Sequence, residues 1–315
     1  MKIFTVTSYI IIGLTLSLVA CQPTKAEPIF FPDRDLVFQR YDFNSNNAED
    51  HAIDQLGFVN TDGSSLEIVD TDKIIEKPVW SADGMFLYGL SSSPGGYPAY
   101  WNKATGLFGI CNHDMPYYFQ IEGSDNQSNP YEVVIQDTWT IIMMDLSNCT
   151  EVRRLVDYEA DPGKYDIGGF SYSSDQQELV YGLVIGPYKN RRFQIMRLDI
   201  NSGKQVQVGV GINPTWSPDG NLIAYLGLDG LYVSRSDGSE IRKIVDYLFF
   251  DQWASGSLFL MTPIPRWSPD GKWLVYYVCT DKLCSMDKSE IYKVSVDGGQ
   301  PEKILTGGQN PSWNP

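Results

Sequence analysis

Histidine is nearly missing from this 315-residue chain: only His51 and His113 occur. A site built on three imidazole ligands is therefore excluded by arithmetic. Basic residues are also scarce, with 24 Lys and Arg against 39 Asp and Glu and a formal net charge of −15. A nucleic-acid binder needs a cationic face to displace counterions from phosphate, so no nucleic-acid partner is expected. The one conspicuous apolar run, Ile10 to Ala20, is too short for a comfortable membrane span of about 20 residues. No serine nucleophile elbow is present either. Its nearest approach, Gly169-Phe170-Ser171-Tyr172-Ser173, lacks the closing glycine. No catalytic residue, metal site or cofactor is assigned from the sequence.

What the chain does have is aromatic residues and turn formers. Tyr (19), Phe (14) and Trp (8) accompany 28 Gly and 18 Pro, and the Gly and Pro fall between short apolar runs. That mixture predicts many short strands joined by tight turns. A hydrophobic content of 43% is ample for a sizeable core.

The N-terminus reads as an address. Lys2 is the only charge in the first twenty residues, and the apolar run closes on Leu18-Val19-Ala20-Cys21. A charged start, an apolar centre and small residues at the end form a secretory signal. The tetrapeptide resembles a bacterial lipobox, which makes Cys21 the lipidated first residue of the mature chain. Residues 1–20 are thus expected to be a signal peptide and the Pro-rich residues 21–33 a tether. The expected location is outside the cytoplasm, on the cell or outer membrane and facing periplasm or exterior, held by lipid without spanning. Export permits disulfides. Cys279 and Cys284 flank a four-residue segment and are expected to staple one hairpin; Cys111 and Cys149 are left open as a pair or as thiols.

Internal repetition decides the architecture. Trp216-Ser217-Pro218-Asp219-Gly220 recurs as Trp267-Ser268-Pro269-Asp270-Gly271 and, varied, as Trp80-Ser81-Ala82-Asp83-Gly84. A degenerate copy is Tyr172-Ser173-Ser174-Asp175-Gln176, and Trp313-Asn314-Pro315 is a copy cut short. The aromatic positions are spaced by 92, 44, 51 and 46 residues, so one copy is missing near 117–126, where YYFQIEGSDN keeps the aromatic and loses the Pro-Asp-Gly. Each unit orders a strand ending at Trp, a Pro-Asp-Gly turn, an apolar strand, an alternating strand, a second Asp-Gly turn and a last short strand. The final unit has only its first strand, and the segments after residue 34 supply the other three. Four antiparallel strands repeated six times predict an all-β, six-bladed propeller over residues 34–315, with one blade built from both termini. Trp80, Asp83, Trp216, Asp219, Trp267, Asp270 and Trp313 are read as blade packing and turn capping.

These repeats resemble the TolB-type, WD40-like propeller family across residues 34–315. TolB proteins carry an α/β domain before the propeller, for which this sequence has no room, so the resemblance implies a stand-alone propeller. Dipeptidyl-peptidase-like relatives of the repeat attach a hydrolase domain, and lyase relatives use a His-rich metal site; neither pattern is found here.

Two connectors stand out. Asp246 to Pro265 takes twenty residues and holds Phe249, Phe250 and Trp253. It is read as a partner-docking or channel-plugging element, with Arg266 beside it as a candidate for a carboxylate such as a peptide C-terminus. Asp157 to Asp166 is acidic, but without EF-hand spacing it is read as a solvated loop. Lys189 to Arg192 is read as a solvent-facing basic tip. Val79, Thr215, Arg266 and Ser312 are expected to line the channel, with Lys77, Asn213 and Asn310 at its mouth. The expected function is a monomeric, membrane-anchored platform that binds an envelope protein or peptide. The alternative is a carbohydrate- or peptide-active enzyme with a carboxylate-based site in the channel.

Overall fold

The structure, a computed structural model, describes residues 32–42, 53–70, 75–91, 96–111, 120–123, 132–137, 139–158, 164–187, 190–246, 263–281 and 284–315. They form six four-stranded antiparallel sheets. Naming strands in chain order, the first blade holds β1 (Leu36–Asp42), β2 (Ile53–Val59) and β3 (Glu67–Asp70), and the last strand of the chain joins it as its innermost member. The second blade runs β4 (Ile75–Trp80), β5 (Phe86–Ser91), β6 (Tyr97–Asn102), β7 (Phe108–Ile110) from the axis outward. The third is β8 (Gln120–Gly123), β9 (Glu132–Gln136), β10 (Thr140–Asp145), β11 (Thr150–Asp157). The fourth is β12 (Tyr165–Tyr172), β13 (Glu178–Ile185), β14 (Arg192–Asp199), β15 (Gln205–Gly209). The fifth is β16 (Ile212–Trp216), β17 (Leu222–Leu226), β18 (Gly230–Arg235), β19 (Arg242–Asp246). The sixth is β20 (Arg266–Trp267), β21 (Trp273–Val278), β22 (Glu290–Ser295), β23 (Glu302–Thr306), and β24 (Gln309–Trp313) then closes the first. Inner strands of consecutive blades touch all the way round, β24 to β4, β8, β12, β16, β20 and back to β24, so the ring is a closed β-propeller.

The closure is the one expected from the half-units at the two ends. Leu36 pairs with Trp313 and Val37 with Ser312, and the Asn314 N–H donates to the Asp35 carbonyl at 2.8 Å. Core layers lie between blades rather than within them. One cluster joins Val184 of the fourth blade, Ile212, Leu226 and Val233 of the fifth, and Trp267 and Tyr276 of the sixth. That explains why the second strands are apolar on both faces: β5 is buried at every position.

The repeat motif is a device for holding the first turn. In the four copies at Ser81, Ser173, Ser217 and Ser268, the serine hydroxyl donates to the aspartate two residues on at 2.6–2.7 Å. The same hydroxyl accepts the backbone N–H five residues on at 2.9 Å, which starts the next strand. Serine hydrogen bonds hold the Asp175, Asp219 and Asp270 carboxyls below the usual carboxylate range. Gly84, Gly220 and Gly271 close these turns at φ near +70°, but the degenerate copy forces Gln176 to φ 59°. A left-handed side-chain residue costs ~1–2 kcal/mol, partly offset by the extra backbone entropy of glycine. Gln176→Gly is therefore expected to stabilise by about 0.5–1 kcal/mol, read as a rise in the urea midpoint.

Both cysteine pairs are bonded. Cys279–Cys284 is the hairpin staple expected from sequence. Cys111–Cys149, left open by the sequence, joins the end of the second blade to the β10–β11 turn of the third, with a Cα–Cα separation of 5.3 Å. The pair was illegible because the third blade lacks its motif, so the register that brings residue 149 beside 111 could not be set. Closing a loop of separation 38 restricts the unfolded chain by about 3–4 kcal/mol. The Cys111→Ala/Cys149→Ala double variant should lose that much in oxidising buffer, and dithiothreitol should add little to its loss at this link.

Two further expectations are corrected. The basic tip at 189–192 is not wholly in solvent: Arg191 pairs with Asp166 at 2.9 Å, both side chains about four-fifths covered. Nor does the third copy place its aromatic in the Trp slot, which hydrogen bonding between blades gives to Gly123 instead.

Candidate functional site at the channel

The residue just before each motif aromatic faces the axis, and a recurrent bond between blades fixes its position. The Trp80 N–H donates to the Ser312 hydroxyl at 3.5 Å, and the Trp216 N–H to the Ser171 hydroxyl at 3.1 Å. The Tyr172 N–H donates to the Glu122 carboxylate at 3.3 Å. Glu122 therefore occupies in the third blade the position of Ser171 and Ser312, which leaves Gly123 in the aromatic slot. The ring at this level is Val79, Glu122, Ser171, Thr215, Arg266 and Ser312. Four of these were expected from sequence; Glu122 and Ser171 were missed because their copies lack the full motif. The blade-to-blade hydrogen bond is the signal that finds them, and it exists only in three dimensions.

Glu122 and Arg266 belong to the third and sixth blades, on opposite sides of a six-bladed ring. Their side chains meet across it: Arg266 Nη1 donates to Glu122 Oε1 at 2.5 Å, with side chains only 16% and 10% exposed. The same carboxylate oxygen accepts from Gln120 Nε2 at 3.0 Å. Gln120 in turn clasps the fourth blade, donating to the Phe170 carbonyl at 2.7 Å and accepting the Phe170 N–H at 3.1 Å. The Arg266 carbonyl accepts the Trp313 indole N–H at 2.9 Å. This waist is a buried, hydrogen-bonded strut. Burial pushes the Glu122 carboxyl above the usual carboxylate range, against the pull of Arg266. Arg266, expected as a carboxylate receptor, holds a carboxylate of its own chain.

Three residues before the aromatic, the inner strands bulge. Lys77, Gly169, Asn213 and Asn310 all have positive φ, between 49° and 82°. The pairing of β4, β12 and β16 with their neighbours shifts register there. The bulge turns side chains toward the adjacent blade. Asn213 Nδ2 donates to the Pro263 carbonyl at 2.9 Å and Asn310 Nδ2 to Gln39 Oε1 at 3.0 Å, while Gln39 Oε1 also accepts the Lys77 N–H. Gly169 is obligatory, since a Cβ there would lie 2.3 Å from Asn213 Oδ1. Of the three mouth residues expected, Asn213 is buried and staples blades; Lys77 and Asn310 stay partly open.

Desolvation lowers the Lys77 ammonium from 10.5 to about 8, with Glu76 opposing. Below about pH 8 the lysine is charged in both folded and unfolded chains, and the fold bears its burial. Stability then rises as pH climbs from the folded to the unfolded value. Lys77→Met is expected to stabilise by about 2 kcal/mol near neutral pH, an advantage that closes toward pH ~10. Urea midpoints of the two proteins across that range check it.

Phe249, Phe250, Trp253, His51, His113 and Cys21 lie outside the described residues, as do residues 159–163 of the acidic connector from Asp157 to Asp166. Asp157 pairs with Arg154 at 3.1 Å. Among the described residues no group of three or more His, Cys, Asp and Glu is placed to hold a metal ion.

No family model matches the chain. It is similar to an uncharacterized protein of Agrobacterium fabrum, 25% identical over 270 residues that span 78% of this chain and 83% of the relative. Among solved structures it is similar to TolB of Acinetobacter baumannii, with a TM-score of 0.64 and 16% identity over 89% of this chain and 67% of that one. The oligogalacturonate lyase of Vibrio parahaemolyticus superposes with a TM-score of 0.50 and 17% identity, over 86% of this chain and 73% of the lyase. At such identities the likeness is one of fold, and in fold this chain is a TolB-like β-propeller.

Proposed function

We propose that the chain is a non-enzymatic binding platform of the cell envelope, exported by residues 1–20, held to a membrane through lipid on Cys21, and presenting its propeller to a protein or peptide. The observation that carries this reading is the closed waist. Glu122 and Arg266, the two groups at this level best suited to acid–base work or carboxylate capture, neutralise each other across the axis. With the waist spanned, a ligand entering from the side where the inner strands begin meets a floor. Glu76, Lys77 and Asn310, all partly exposed, stand above it. Such a dish suits the tip of a partner better than a threaded polymer.

Photo-crosslinking in the native membrane tests the platform. A benzophenone residue at Lys77 should give a discrete adduct with one envelope protein, and the same probe at Lys204, on the turn before the outer strand β15, should not. No adduct from the mouth, together with turnover of a glycan or peptide by the purified protein, would replace the platform by the enzyme. Cys21→Ser tests the anchor separately: radiolabelled palmitate should no longer be incorporated and the protein should leave the membrane fraction.

A further inference from the structure

A second surface lies away from the channel, between the fourth and fifth blades. A groove of about 590 Å³ runs there, walled by β15 and its following loop (Gln207 to Val210) and by β17, β18 and their turns. Eight large hydrophobic residues are exposed among the described ones, and three of them gather here. Val210, Leu228 and Ile241, each 51–53% exposed, line the groove. Three such residues around one groove mark a candidate recognition site among the described residues.

The floor gives an independent sign of a ligand. Tyr225 is 3% exposed, lines the groove and stacks on Tyr232 with centroids 5.7 Å apart. Its hydroxyl lies over Gly209, where a Cβ would come within 3.4 Å of it. Tyr232 donates to Asp229, but the Tyr225 hydroxyl makes no hydrogen bond among the described residues. The ring is covered while the hydroxyl opens onto the groove, where an acceptor from outside the chain can replace the water it meets.

The chemistry of the walls selects the ligand. The rim is aliphatic, which suits apolar side chains more than the hydroxyl-dense face of a sugar. Among the described residues, the charged ones that line it are both acidic, Asp229 and Asp237. Asp229 is shared with Lys243 at 3.0 Å, whereas Asp237 accepts Ser239 groups at 2.6 and 2.8 Å and feels Arg235 only as a neighbouring charge, that guanidinium being paired with Glu240 at 2.8 Å. With a chain charge of −15 behind it, the groove favours cations.

We infer that this groove binds a peptide segment in which a large apolar side chain sits beside a lysine or arginine. The apolar side chain packs among Val210, Leu228 and Ile241, a peptide carbonyl accepts the Tyr225 hydroxyl, and the cation faces Asp237. This goes beyond the channel-mouth platform and stands or falls apart from it.

A phage-displayed library of random dodecapeptides, panned on the wild-type protein with Leu228→Asp/Ile241→Asp as the counter-target, tests the site. Both substituted residues are half exposed, so the variant should keep the wild-type thermal midpoint. Enriched clones are expected to pair an apolar residue with Lys or Arg. They should bind the wild type at least about tenfold tighter than the counter-target, and Tyr225→Phe should weaken them severalfold. Lys77→Met, at the channel mouth, should leave them unchanged. Clones that are acidic, that fail to distinguish the counter-target, or that respond to Lys77→Met would overturn the assignment. So would saturable binding of a neutral glucan hexasaccharide that Leu228→Asp/Ile241→Asp abolishes.

Discussion

Removal of residues 309–315 is expected to abolish cooperative folding, although it deletes only the last stretch of the chain. Those residues hold β24, the innermost strand of the first blade. Leu36, Val37 and Phe38, each 0% exposed, pack in the sheet that β24 completes. The strand also ties other blades together. Gln309 Nε2 donates to the Cys284 carbonyl at 2.8 Å and to the Ser289 hydroxyl at 2.7 Å, and the Trp313 indole reaches the Arg266 carbonyl. Exposing two or three large apolar side chains costs ~1.5–3 kcal/mol each. Leaving buried polar partners unmade adds ~1–3 kcal/mol apiece. The total rivals the ~5–15 kcal/mol that holds a typical domain together. Near-ultraviolet circular dichroism and a urea gradient read the result. A circular permutant separates ring closure from general truncation damage. Because β24 runs antiparallel to β1 and Asn314 already bonds Asp35, residues 309–315 can be grafted ahead of Asp33 through a short turn. The permutant should recover the wild-type midpoint. A truncated protein that unfolds as sharply and at the same urea concentration as the full chain would show that the ring does not need its seam.

Arg266→Met should cost about 3 kcal/mol, at the lower end of the range for removing one partner of a buried pair. Among the described residues, the variant leaves the Glu122 carboxylate in the waist with Gln120 and the Tyr172 N–H to solvate it. Burial already holds this carboxyl above its ordinary range with the arginine present; without it the carboxyl rises further. A carboxyl raised in the folded state contributes stability at low pH that is lost as pH climbs through its folded value. The deficit of Arg266→Met should accordingly be small near pH ~5 and full near pH ~8. Adding Glu122→Leu should restore most of the loss, since an apolar pair fills a buried site about as well as an ion pair. If the single variant matches the wild type at both pH values, the strut contributes nothing and the waist is not closed by it.

How much was legible in the sequence depends on the strength of the local signal. The motif copies at Trp80, Trp216 and Trp267 announced their turns, because a Ser-x-Asp-Gly turn needs only four neighbouring residues to satisfy its own hydrogen bonds. Where the residues are degenerate, as at Tyr172 to Gln176, the geometry persists because the serine and aspartate remain. The third copy lost both, and with them went the register that would have exposed Glu122 and the Cys111–Cys149 link. The groove beside Tyr225 was equally silent in sequence. Val210, Leu228 and Ile241 come from three separate loops, and nothing in their spacing marks them as neighbours.

By itself, then, the sequence determined the all-β architecture, the number of blades and the way the two ends share one. Those arise from repeat period and turn chemistry, which act over a few residues and recur. The tertiary structure alone decided which charges meet across the axis and which apolar residues collect between blades. A pairing such as Arg266 with Glu122 spans 144 positions and half the ring. It depends on how each inner strand is rotated about the axis, a quantity that no local pattern encodes.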